Sequence, residues 1–101
     1  MNHVPTEELL YSTFAGLEKT RFRVWLDESS PLQLELLETS DAGQGSFSLL
    51  FQGPEDRSLP QGSYIFEQEQ IGSFELFIVP VGRSGGAIQF QAIFNRLPPR
   101  S

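Results

Sequence analysis

The chain has no cysteine, a single histidine, a single tryptophan, and only seven basic residues against thirteen acidic ones. Without cysteine there are no disulfides, no thiolate metal sites and no cysteine nucleophile. The formal net charge of −6 repels phosphate backbones and anionic headgroups, so neither nucleic acid nor a membrane surface is an expected partner. Long hydrophobic runs are missing too. The densest, Phe74 to Val81, contains Glu75 and Pro80 and is far too short to span a bilayer. Residues 1–6 lack the basic stretch and apolar run of a signal peptide. Membrane insertion is therefore not expected. The expected location is the cytoplasm by default, or outside it if the chain is exported as part of an assembly.

What is present suffices for one folded domain over residues 1–101, with 39% hydrophobic residues and nine phenylalanines. The ends, 1–6 and 96–101, read as flexible. Thr6 offers a helix N-cap, Glu7 and Glu8 suit the first turn, and Leu10, Phe14 and Leu17 follow at helical spacing, which predicts a short helix over about 7–16. A helix of that length must dock to be stable.

Beyond it the period changes from about 3.6 to 2. Alternating apolar residues predict strands over about 20–26, 32–38, 46–52, 63–68, 73–80 and 87–95, with Ser40 to Gly45 and Gly82 to Gly86 as loops and Pro80 as a strand end. Folding the first hairpin about Ser29 sets Phe22 against Leu36 and Arg23 against Glu35. Folding the fourth and fifth strands about Gln70 sets Phe66 against Phe74. Folding the last hairpin about Ser84 sets Ile78 against Phe90. Each register keeps one apolar face together. The expected fold is mainly β: a six-stranded antiparallel meander forming a small barrel or sandwich, with one short N-terminal helix over an open end or one face.

The outward positions are mostly polar, but Ile65 and Ile93 flank Glu75, and Phe77 and Val79 lie further along the same strand. Two readings compete for this patch. Either the N-terminal helix covers it with Leu10, Phe14 and Leu17, or it is an interface for a protein partner or a second copy. A second stripe, Lys19, Arg21, Arg23 and Trp25, projects to one side of the first strand. It reads either as cross-strand pairing in an acidic protein, Arg23 with Glu35, or as a contact for an acidic partner, a sugar or a peptide.

Catalytic constellations are thin. The one histidine, His3, falls in the expected flexible tail, where it would not hold catalytic geometry. Glu67 with Glu69, and Asp27 with Glu28, are carboxylate pairs that read more simply as a solvated surface and a polar turn. Asp41 to Gly45 and Glu55-Asp56 lack the acidic alternation of a calcium loop. Gly82 to Gly86 is glycine-rich but no helix follows it, so it is not a phosphate cradle. No cofactor or metal site is assigned, and no enzyme activity is expected.

From Phe47 onward the chain resembles a small bacterial domain family of unknown function. The likeness is carried by Phe47-Ser48-Leu49-Leu50-Phe51-Gln52-Gly53-Pro54, then Leu59-Pro60-Gln61-Gly62-Ser63-Tyr64, then Leu76-Phe77-Ile78-Val79-Pro80-Val81-Gly82, then Phe90-Gln91-Ala92-Ile93-Phe94-Asn95. Genes of that family often lie beside genes for phage-tail-collar-like proteins, so the resemblance implies an accessory role in a tail-like or fibre-like extracellular structure. It brings no activity and no catalytic residue. The motif positions are core and turn residues, which describe a scaffold and leave function to faces and loops. The functional expectation is a non-enzymatic protein-interaction or assembly module. A small-ligand or carbohydrate-binding barrel, using its mouth or Trp25, Tyr64 and Tyr11, is the alternative.

Overall fold

A computed structural model describes residues 3–26, 31–43, 45–55 and 59–94. Six strands follow one another along the chain: β1 (Arg21–Trp25), β2 (Pro31–Gly43), β3 (Ser46–Pro54), β4 (Gly62–Gln68), β5 (Gly72–Ser84) and β6 (Ala87–Phe94). All pairings are antiparallel, and the strands close into a barrel in the order β1-β2-β3-β6-β5-β4. Closure removes the open edges that would otherwise template further strand pairing.

The connectivity is not a simple meander. After β3 the chain crosses to the far side of β1, so β4 pairs with β1 and β3 pairs with β6. The spatial order β4-β1-β2-β3 is a Greek key. Alternation along each strand is blind to this crossover, because every strand needs only one inward face whichever neighbours it has.

That inward face is as expected. Phe22, Val24, Leu32, Leu34, Leu36, Phe47, Leu49, Phe51, Phe66, Phe74, Leu76, Ile78, Ile88, Phe90, Ala92 and Phe94 are all buried in one cluster. The β4–β5 hairpin has the expected register, Phe66 opposite Phe74 and Tyr64 opposite Leu76.

Two other hairpins are shifted by two residues, which preserves the face and changes the partner. Phe22 pairs with Leu34, and Arg23 with Gln33 rather than Glu35. The turn of that hairpin, residues 27–30, with the Asp27–Glu28 pair, lies outside the described residues. At β5–β6, Pro80 rather than Ile78 faces Phe90. The loop there is only Gly85-Gly86, both at positive φ (58° and 83°), as a type I′ hairpin turn requires. A bulge between Pro80 and Gly82 absorbs one extra residue, so β5 runs through Pro80 to Ser84 instead of ending there. Proline is tolerated at a bulge because the ladder hydrogen bond is already interrupted. Bulges also carry β2 through Ser40 to Gly43, where a loop was expected.

The N-terminal segment is not one helix over 7–16. It forms a 3-10 turn at Thr6–Glu8 and a single-turn helix, α1, at Tyr11–Phe14. The break turns Leu9 inward and leaves Leu10 half exposed. Thr13 Oγ1 accepts a hydrogen bond from the Leu10 N–H (3.0 Å), stabilising the first turn of α1. Phe14 is fully buried and its ring lies 5.7–6.3 Å from those of Phe22, Phe47, Phe74 and Phe94, which belong to β1, β3, β5 and β6. A side chain touching four strands around the barrel stoppers its end. The expectation that this segment lies across the outer patch is thereby overturned: the barrel end offers Phe14 complete burial, which a flat outer face cannot.

His3, expected in a loose tail, is tied to β5. It forms a parallel bridge with Ser73, the Val4 N–H donates to the Ser73 carbonyl (2.7 Å), and His3 Nδ1 lies 3.3 Å from Ser73 Oγ. The final residues, 95–101, lie outside the described residues.

Candidate functional site

Two outward features survive folding, and the β1–β4 pairing joins them. Trp25 is the direct cross-strand partner of Ile65, and Ile65 is the partner of Glu75 on β5. Phe77 follows two residues after Glu75 on the same face, and Ile93 meets it across a cleft of about 130 Å³ lined by Glu75, Leu76, Phe77, Ala92, Ile93 and Phe94.

Eight of the nine phenylalanines are buried, and Phe77 is the exception at 54% exposed. Ile93 is 67% and Ile65 38% exposed. Val79, the fourth residue expected here, is half-buried opposite Gln91, and Val81 is also exposed further along β5. Alternation alone does not reach Val81, because a proline at position 80 signals a strand end.

The basic stripe is only partly assembled. Lys19 precedes β1, at positive φ (70°), with its N–H donating to the Leu36 carbonyl. Arg21 and Arg23 are exposed on β1, and Trp25 is half-buried. Their partners differ from those expected. Arg23 Nε lies 3.4 Å from Glu67 Oε1, and the Trp25 indole N–H donates to the same oxygen at 2.8 Å. Arg21 donates to Gln33 Oε1 at 3.3 Å, while Glu35 accepts from Gln52 instead (2.9 Å). Glu67 thus anchors the stripe, which alternation alone could not reveal: β1 and β4 are neighbours only through the crossover.

Beside it lies a polar groove of about 440 Å³ lined by Thr20, Arg21, Arg23, Gln33, Glu67, Gln68, Glu69 and Gln70. Glu67 and Glu69 do share this groove, but Glu67 is held by an arginine and an indole, and Glu69 is exposed in the β4–β5 turn. His3 meets Ser73, yet no carboxylate is hydrogen-bonded to its ring among the described residues, so the orienting member of a triad is not in place. Among the described residues no three acids or histidines gather as a metal site. Asp41 Oδ1 accepts from the Gly43 N–H (2.8 Å), which is a turn contact. Gln44 and Asp56 lie outside the described residues.

Glu18 is held below the ordinary carboxylate range by the Thr39 hydroxyl, which donates to it, with the backbone N–H groups of Glu18 and Gly16 adding to the effect. Its role is to fasten the segment after α1 to β2.

The barrel-mouth aromatics are engaged. Tyr11 packs edge-on against Phe47, with ring centroids 6.4 Å apart, and the Tyr64 hydroxyl donates to the Pro60 carbonyl at 2.7 Å. Among the described residues no helix is long and apolar enough to cross a membrane.

These features define a closed Greek-key barrel with Phe14 stoppering one end. The chain belongs to a family described as a domain of unknown function, DUF6916, whose family model matches residues 9–94. No curated protein and no solved structure matches it.

Proposed function

We propose that this domain is a non-enzymatic protein-interaction or assembly module that makes contact through the outer face of β4, β5 and β6. The observation that carries this reading is Phe77. A fold that buries every other phenylalanine leaves this one more than half exposed, beside Ile93 and Ile65. The N-terminal segment, which would be its natural cover, is committed to the barrel end. Contiguous exposed apolar side chains on a small domain mark interaction surfaces. In the setting that the sequence resemblance implies, the module is accessory to a bacterial tail-like or fibre-like extracellular structure.

A small-ligand or carbohydrate-binding barrel is the competing reading. With Phe14 filling one end of the barrel, the polar groove between Arg21, Arg23, Gln33 and Glu67 is one place open to a ligand. The groove favours it; the pairing of Arg23 Nε and the Trp25 indole N–H to Glu67 weighs against it, because those two donors already have an acceptor.

The test places a photoreactive benzoyl-phenylalanine at position 77 in the cells that make the protein, with the same group at the exposed Glu38 as control. A discrete covalent adduct at position 77 alone supports the interaction reading. Absence of any adduct, or equal diffuse labelling at both positions, overturns it.

A further inference from the structure

We propose that the occupant of this face is a basic, apolar segment of a different protein: an aliphatic or aromatic side chain seated between Phe77 and Ile93, next to a lysine or arginine that pairs with Glu75. This deepens the reading above and rests on it.

The argument starts from Glu75. It sits directly opposite Ile65, two residues before Phe77, and lines the cleft with Phe77 and Ile93. Its carboxylate has no hydrogen-bond or ion-pair partner among the described residues, and Arg23 and Arg83 are taken by Glu67 and Glu55. The Glu75 side chain is exposed. Anything that covers the apolar side chains around it must strip water from it, and a desolvated, unpaired carboxylate is strongly unfavourable. A partner surface made only of apolar residues would therefore be rejected, and one carrying a cation at this point would be selected. The surface discriminates by charge while gaining its affinity from apolar contact.

A second copy of this chain is a poor occupant. Two copies meeting on this face about Phe77 would bring two Glu75 carboxylates into one contact. They would also approach each other with a charge of −6 apiece. A basic partner removes both penalties and is steered toward the domain by the same field.

The probe is a displayed library of random linear peptides, selected against the immobilised full chain and against Glu75→Lys and Phe77→Glu. Both positions are exposed, and circular dichroism with thermal unfolding verifies that each variant is folded. The expected result is recovery of peptides in which an apolar residue adjoins a lysine or arginine. These are lost on Phe77→Glu and replaced by aspartate- or glutamate-bearing peptides on Glu75→Lys. A synthetic copy of a recovered peptide binds about tenfold more weakly to Glu75→Lys, and binding to the intact chain weakens with added salt. Peptides that depend on Phe77 but carry the same charge on the intact chain and on Glu75→Lys would overturn the basic partner and leave the interaction face standing. Recovery indifferent to Phe77→Glu, or no recovery at all, would overturn both.

Discussion

The Trp25 indole N–H donates to Glu67 Oε1 at 2.8 Å, and Arg23 pairs with that same oxygen at 3.4 Å. One carboxylate on β4 thus holds two side chains of β1 across the seam that closes the barrel. Replacing it with leucine leaves a half-buried indole donor without its acceptor. Glu67→Leu should destabilise the domain by about 1–3 kcal/mol, read by urea unfolding followed through Trp25 fluorescence. Glu67→Gln keeps an acceptor and should lose less than half as much. Equal stability of all three proteins would show that the seam is held by backbone pairing and core alone.

Phe14 and Leu10 sit four residues apart on the short N-terminal segment, yet one is fully buried and the other half exposed. Phe14→Ala should cost about 3–5 kcal/mol, since it empties a site bounded by four strands. Leu10→Ala should lie within about 0.5 kcal/mol of the parent. If Leu10→Ala is the more damaging change, the segment packs by its other face.

Gly53 is buried where a Cβ would lie 2.5 Å from Leu34 Cδ2. Gly53→Ala should cost about 1–3 kcal/mol by overpacking, and the double variant with Leu34→Ala should lose less than the sum of the two single losses, since two side chains competing for one space are not additive. A double variant whose loss equals the sum of the single losses would place the clash elsewhere.

Glu18 is held below the ordinary carboxylate range chiefly by the Thr39 hydroxyl. Its contribution is therefore fully present above the ordinary carboxylate value and is lost as pH falls through the lowered one. Thr39→Val should raise the Glu18 titration midpoint toward the ordinary value, as followed by carboxyl NMR. The stability difference between parent and variant should shrink on acidification. A midpoint unmoved by Thr39→Val would show that this hydrogen bond does not govern the group.

Self-association is read from solution mass. Light scattering should return a single chain, 11.4 kDa, for both the intact protein and Phe77→Glu. A dimer of the intact chain that Phe77→Glu separates would make the contact homotypic, and the charge argument at Glu75 would fall with it.

Much of this molecule was readable before folding. Period-2 alternation named the buried apolar residues of all six strands, because any strand with one wet face must alternate whatever its neighbours. It also named Ile65, Phe77 and Ile93 as outward apolar residues, since parity along a strand settles which face a residue takes. The two hairpins shifted by two residues show the limit. A slip of one would have reversed the faces and been detectable; a slip of two leaves the apolar pattern intact and moves only the partners. The slip places Gln33 rather than Glu35 opposite Arg23 on β2, and Glu67 reaches Arg23 only through the β1–β4 pairing.

Strand content, face and the excess of acid follow from residue order alone, because all three are local or additive properties. The remaining features depend on contacts between distant segments. The crossover after β3 makes β1 and β4 neighbours, bringing Trp25 beside Ile65 and Glu67. The barrel end takes Phe14 and so leaves Phe77 uncovered. Both outcomes are competitions among distant segments for the same burial, and such competitions are settled by closure of the whole barrel, which no single strand records.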